Sequence, residues 1–122
     1  MLYVFPDGLT AKVAQEYRRP YADPVKGKAG DLLVPDYSRE TDLFGWTWCR
    51  NDAGQEGWAP GNWLAPHGDK LRLIRDFDAI ELTVTAGEIV MLHYAESGFC
   101  WVTTTAGETG WVPDAVLVLP AS

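Results

Sequence analysis

Apolar and polar residues alternate along the chain in short runs that stop at glycine or proline, a pattern that predicts many short strands joined by tight turns. Ala11-Lys12-Val13-Ala14-Gln15-Glu16-Tyr17 reads as the first alternating strand, and Arg18-Arg19-Pro20-Tyr21-Ala22-Asp23-Pro24 breaks it, because two prolines rule out an interior strand. Gly30-Asp31-Leu32-Leu33-Val34 reads as a buried strand. Residues 36–44 carry four charges and read as a loop. Trp46 to Arg50 form the third strand, Asn51-Asp52-Ala53-Gly54 its glycine-closed turn, and Trp58-Ala59 the fourth strand, which Pro60 ends because it cannot donate to a ladder. Asn62-Trp63-Leu64 follow as one turn of tight helix or a last short strand. The series then begins again with Leu71-Arg72-Leu73-Ile74-Arg75-Asp76-Phe77. It continues through Glu81-Leu82-Thr83-Val84-Thr85, which alternates as a half-buried strand should, then Ile89-Val90-Met91-Leu92, Trp101-Val102-Thr103-Thr104 and Gly110-Trp111-Val112.

The recurrence is a duplication. Gly54-Gln55-Glu56-Gly57-Trp58-Ala59-Pro60 returns 53 residues later as Gly107-Glu108-Thr109-Gly110-Trp111-Val112-Pro113, and Leu64 returns as Leu117. Gly45-Trp46-Thr47-Trp48 matches Gly98-Phe99-Cys100-Trp101 at the same offset, whereas Ala29-Gly30-Asp31 matches Ala86-Gly87-Glu88 at 57. The first copy therefore carries four extra residues between these marks, an insertion of the kind that surface loops accept. An internal repeat outranks local signals in deciding a fold.

Composition narrows what such a protein does. Hydrophobic residues make up 47% of the 122 residues, with six Trp, too apolar for disorder, and no run approaches the length of a membrane span. Residues 1–66 carry seven basic and nine acidic side chains, and residues 67–122 carry three and eight, so the net charge of −7 falls mostly on the second half. Nucleic acid needs clustered Lys and Arg and is excluded as a partner on this ground. Met1-Leu2-Tyr3-Val4-Phe5-Pro6 has no basic residue ahead of its apolar stretch and does not read as a secretory signal. Two cysteines do not make a disulfide framework, and reduced thiols in a cytoplasmic protein are expected.

The ordered marks, a Gly-acid pair after a long loop, an aromatic pair opening the third strand, then Gly-aromatic-hydrophobic-Pro and a closing apolar pair, resemble a Src-homology-3 barrel in both copies. The bacterial-type variants of this barrel are resembled as much as the eukaryotic adaptors. The resemblance implies an all-β protein of two tandem five-stranded barrels packed together. Residues 1–10 form an arm or extra strand on the first barrel, residues 11–65 that barrel, residues 66–69 a linker, residues 70–119 the second barrel and residues 120–122 a tail. Phe77 to Gly87 gives the second copy a shortened first loop.

In peptide-binding members of that family an aromatic groove holds extended proline-rich segments, and nearby acids catch an Arg or Lys. Carried onto this sequence, the first copy offers Tyr17, Pro60 and Trp63, with Thr47 at the groove tryptophan's place between Trp46 and Trp48 and Gln15 in place of one tyrosine. Tyr21 and Trp46 refill the groove, and Glu16, Asp23, Asp36, Glu40 and Asp42 supply an acidic rim. The second copy keeps only Phe77 and Pro113, with Arg75, Cys100 and Val116 elsewhere. The candidate peptide-binding set is therefore Tyr17, Tyr21, Asp23, Trp46, Pro60 and Trp63. Trp48 and Trp58 are expected to pack, and Trp63→Ala is expected to weaken binding while the fold survives.

The expected function is a non-enzymatic protein or peptide interaction module, without cofactor, metal or membrane, whose ligand is a proline-rich or basic segment. Recognition of cell-wall peptide is one alternative. An aromatic cage for a methylated ammonium, built of Tyr17, Trp46 and Trp63, is another. A thiol enzyme using Cys100 with His93 is the third, weakened because no orienting acid is evident beyond Glu96 or Glu108. Two His and two Cys without paired spacing do not make a zinc site.

Overall fold

The computed structural model describes residues 2–39 and 45–119; Glu40 and Asp42 of the expected acidic rim and the tail of residues 120–122 lie outside them. The regular structure of the described residues is β-strands and two single turns of 3-10 helix, and no helix among them is long and apolar enough to cross a membrane. In chain order the strands are β1 (Tyr3–Val4), β2 (Thr10–Val13), β3 (Lys26–Gly27), β4 (Leu32–Pro35), β5 (Trp46–Arg50), β6 (Glu56–Pro60), β7 (Leu64–His67), β8 (Lys70–Leu73), β9 (Phe77–Asp78), β10 (Ile89–Glu96), β11 (Phe99–Thr104), β12 (Thr109–Pro113) and β13 (Leu117–Val118). The 3-10 turns, Gly61–Trp63 and Asp114–Val116, precede β7 and β13.

The chain divides into two compact units, but not at the expected boundary. One is residues 21–80; the other is discontinuous, residues 1–20 with residues 81–122. Residues 66–69, expected as a linker, are instead the end of β7 and the two-residue turn that leads into β8, with His67 paired to Lys70. Gly68 has φ +63° at the first central position of this turn, the conformation of a tight hairpin that glycine adopts without a steric penalty. So short a turn returns the chain onto the strand it has just left. The opening strand of the second repeat is thereby committed to the first repeat's sheet, ordered β6-β5-β4-β8-β7.

The opening strand of the first repeat makes the reciprocal move. β2 lies between β10 and β13 in the sheet ordered β12-β11-β10-β2-β13. The arm is likewise on the second repeat's strand: β1 pairs β10 through Tyr3 with Ala95 and Val4 with Tyr94. Volumes fit this exchange. Where β11 and β12 bring Val102 and Val112 into the core, the entering strand brings the smaller Ala11 beside an equal-sized Val13. Where β5 and β6 bring the smaller Cys49 and Ala59, the entering strand brings Leu73, and all three are 0% exposed. A close-packed interior favours that matching of large against small.

Each unit has its own core. In the discontinuous unit it comprises Ala11, Val13, Leu82, Val84, Val90, Leu92, Cys100, Val102, Val112 and Val116. Residues 81–85 alternate in burial as expected, with Leu82 and Val84 inside, but join the sheet only through isolated bridges of Glu81 to Trp111 and Val84 to Tyr17. Glu96 pairs Phe99 across Ser97 (φ 49°) and Gly98 (φ 90°), the two left-handed residues that a type I′ hairpin turn requires. In residues 21–80 the buried apolar residues are Val25, Leu33, Trp46, Trp48, Cys49, Ala59, Trp63, Leu73, Phe77 and Ala79.

Candidate functional site

The β5–β6 hairpin carries Trp46 and Pro60 of the candidate set, together with Trp48 and Trp58. Its register places Trp46 opposite Pro60, Trp48 opposite Trp58, and Cys49 opposite Gly57. Strand alternation then puts Trp46, Trp48, Trp58 and Pro60 on one face, with Cys49 and Ala59 turned into the core on the other. Gly61 N–H donates to the Gly45 carbonyl at 2.7 Å and closes the hairpin's open end. The Trp48 and Trp58 rings meet edge to face, centroids 5.1 Å apart at 75°, a geometry that adds to the area they bury.

Residues 21–25 run beside this hairpin because Val25 N–H donates to the Glu56 carbonyl at 3.1 Å and Ala79 N–H to the Val25 carbonyl at 3.0 Å. Tyr21 consequently stands edge-on to Trp48 at 5.4 Å and 62°. Asp23 accepts from Gln55 Nε2 at 2.7 Å. The Trp48 indole N–H donates to Glu56 Oε2 at 3.2 Å, and the Arg39 guanidinium lies 3.9 Å from the centre of the Trp48 ring. Tyr21 and Trp58 are half-buried; Asp23, Arg39 and Glu56 are exposed. Asp36, before Arg39, accepts from the Ser38 hydroxyl and N–H, and these bonds hold its carboxyl below its ordinary pKa.

Of the candidate set, Tyr21 meets Trp48, Asp23 meets Gln55, and Trp46 and Pro60 pair at the hairpin's open end, all within residues 21–80. Tyr17 belongs to the other, discontinuous unit, where it bridges Val84 and its hydroxyl donates to Glu81. Phe77, from the opening segment of the second repeat, stands where Tyr17 was expected, edge-on to Trp63 at 5.6 Å and 86°. Arg75 from the same segment sits over the Trp63 ring at 4.8 Å. Trp63 is 3% exposed, so its expected role as an open groove wall gives way to packing. Glu16 pairs with Arg18 at the surface of the discontinuous unit. Sequence reasoning missed Arg39, Gln55 and Glu56. The signal available for Glu56 was strand register, because position 56 sits two residues before Trp58 on the same face.

The repeat gives the discontinuous unit a matching pair. Trp101 lies opposite Trp111, ring centroids 5.3 Å apart at 67°. Tyr94 joins them, stacked on Trp101 at 6.0 Å and edge-on to Trp111 at 5.6 Å. Trp111 is 2% exposed.

Neither thiol is set up as a nucleophile. Burial pushes Cys49 up to about 12 and Cys100 to about 11, the latter also raised by the Asp114 charge. The His93 ring contacts the Thr103 hydroxyl at 2.7 Å. Among the described residues no three His, Cys, Asp or Glu side chains are grouped as metal ligands. A shallow open depression of about 250 Å³, lined by Lys26, Asp31, Leu32 and Asn51 to Ala53, lies on the same unit as the hairpin.

Comparison with family models, with curated proteins and with solved structures gives no match to this chain.

Proposed function

We propose that the chain is a non-enzymatic interaction module made of two Src-homology-3-like barrels that have exchanged opening strands, and that it binds a protein or peptide segment on the outer face of the β5–β6 hairpin. The barrel reading is supported by the shared plan of the two larger sheets. In each, a three-stranded meander is followed by a 3-10 turn and a short strand, and an opening strand joins that short strand to the meander. The binding reading rests on one observation: Tyr21 and Trp58 stand half-buried around Trp48, flanked by the exposed carboxylates of Asp23 and Glu56. Aromatic faces beside carboxylates suit an extended segment with ring or proline contacts and a basic side chain.

Contacts of this kind bury little area, toward or below about 1,200 Å² in total, so the affinity is modest and the association transient. A cytosolic setting fits the two free, buried cysteines.

The test is an amide and indole NMR titration against pooled proline-rich, basic and cell-wall-derived peptides. Shifts clustered on Tyr21, Asp23, Trp48 and Trp58 are expected with the proline-rich or basic pool. Shifts confined to residues 81–119, or none, overturn the assignment.

A further inference from the structure

Arg39 supplies an unusual feature of the hairpin face. Its side chain is exposed, yet its guanidinium rests 3.9 Å from the centre of Trp48, a ring that is itself only 4% exposed. The rest of the Trp48 surroundings also suits a cation. Glu56 accepts from the indole N–H at 3.2 Å, which places a carboxylate at the ring's edge. Tyr21 and Trp58 add two more aromatic walls at 5.4 and 5.1 Å. A guanidinium stacks on such a ring through its planar, weakly hydrated surface, better than an ammonium does.

We propose that the Trp48 face is a guanidinium site for an arginine of a partner protein, and that Arg39 is its built-in occupant, shielding the ring until a partner's arginine displaces it. This rests on the reading of the hairpin face as the ligand surface and adds its regulation. Exchanging one arginine for another keeps the ring covered throughout. The partner's gain comes from the contacts that its flanking residues make with Tyr21 and Trp58. Occupancy by the chain's own Arg39 lowers the apparent affinity by the fraction of molecules in which the site is open. Arg39 thus acts as an intramolecular competitor, on a segment held by the Asp36–Ser38 hydrogen bonds.

The experiment follows the Trp48 indole N–H, assigned with Trp48→Phe, in the full chain during titration with N-acetyl-arginine amide. N-acetyl-citrulline amide, the neutral near-isostere, is the control. Arg39→Ala is expected to bind the arginine probe at least tenfold more tightly than the unaltered chain, with citrulline silent in both. Arg39→Gln, which keeps most of the stem over the ring but removes the charge, is expected to tighten binding in the same direction and guards against loss of fold in the alanine variant. Equal affinities across the three proteins overturn Arg39 as a competitor. Should the peptide pools still shift Tyr21 and Trp58, that failure leaves the ligand surface standing. Silence toward both the probe and the pools in all three proteins removes the surface as well.

Discussion

Val13, from the first strand of the first repeat, lies directly opposite Leu117, from the last strand of the second. Lys12 is in turn opposite both Val118 and Ile89, so β2 is an interior strand flanked on both sides by strands from the far end of the chain. Residues 21–80, by contrast, contain every strand of their own sheets.

A fragment of residues 21–80 is therefore expected to fold alone, and a fragment cut at the repeat boundary, residues 11–65, is not. The second fragment keeps β4 to β6 and only the first two residues of β7, and it lacks β8, which pairs with both β4 and β7 and whose Leu73 is 0% exposed. Dispersed amide resonances and a cooperative melt in the first fragment, with collapse of both in the second, are the outcomes to measure. A folded 11–65 fragment contradicts the strand exchange.

Trp63→Ala is expected to destabilise residues 21–80 by about 3 to 5 kcal/mol, the range for deleting a large buried ring. Its ring packs on Phe77 and under Arg75 and is 3% exposed. Denaturant unfolding of that fragment reads the change. A loss under 1 kcal/mol would instead return Trp63 to the list of open ligand contacts.

Glu81 is held by burial above its ordinary pKa, with the Tyr17 hydroxyl partly opposing the rise. The folded chain therefore holds this proton more tightly than the unfolded one. The stability that Glu81 contributes is full below its ordinary pKa and is lost as the pH rises through the folded value. Glu81→Gln keeps an acceptor for Tyr17 and removes the titration. The variant is expected to melt higher than the parent at pH 8, with the gap closing toward pH 4. Parallel melting curves across that range sink the assignment.

The thiols are expected to resist modification. With Cys49 pushed up to about 12, roughly 1 molecule in 10⁴ carries its thiolate at pH 8, and access is closed as well. Ellman's reagent is expected to titrate neither cysteine in the folded chain and both in denaturant. Rapid reaction of Cys100 in the native chain would revive the thiol-enzyme alternative.

Local signals in the sequence were read well where one element decides them. Alternation between Gly45 and the Asn51 to Gly54 turn marks β5 at residues 46–50, and the turn glycines mark the hairpins. The partner of each opening strand was not legible. Ala11-Lys12-Val13 and Leu71-Arg72-Leu73 have the same apolar-basic-apolar pattern, so either satisfies the inward face of either sheet. What separates them is side-chain volume against Val102 and Val112 or Cys49 and Ala59, together with a turn at Gly68 too short to cross between sheets. That misplacement set Tyr17 beside Trp63 in the expected groove, a place that Phe77 and Arg75 occupy in the structure. Arg39 was hidden for a different reason: a cation resting on a ring several strand positions away leaves no periodic trace.

The return of the chain to its first unit at Glu81 sets how the protein bears load. Both ends of the described chain, β1 and β13, belong to the discontinuous unit. Tension applied at the ends of the described chain runs through the β1–β10, β2–β13 and β2–β10 ladders and the Tyr17–Val84 bridge, and residues 21–80 stay slack while these hold. Two repeats joined end to end share a pulling force equally. Here the unit with the aromatic hairpin is mechanically sheltered, and the other must rupture before it feels any strain.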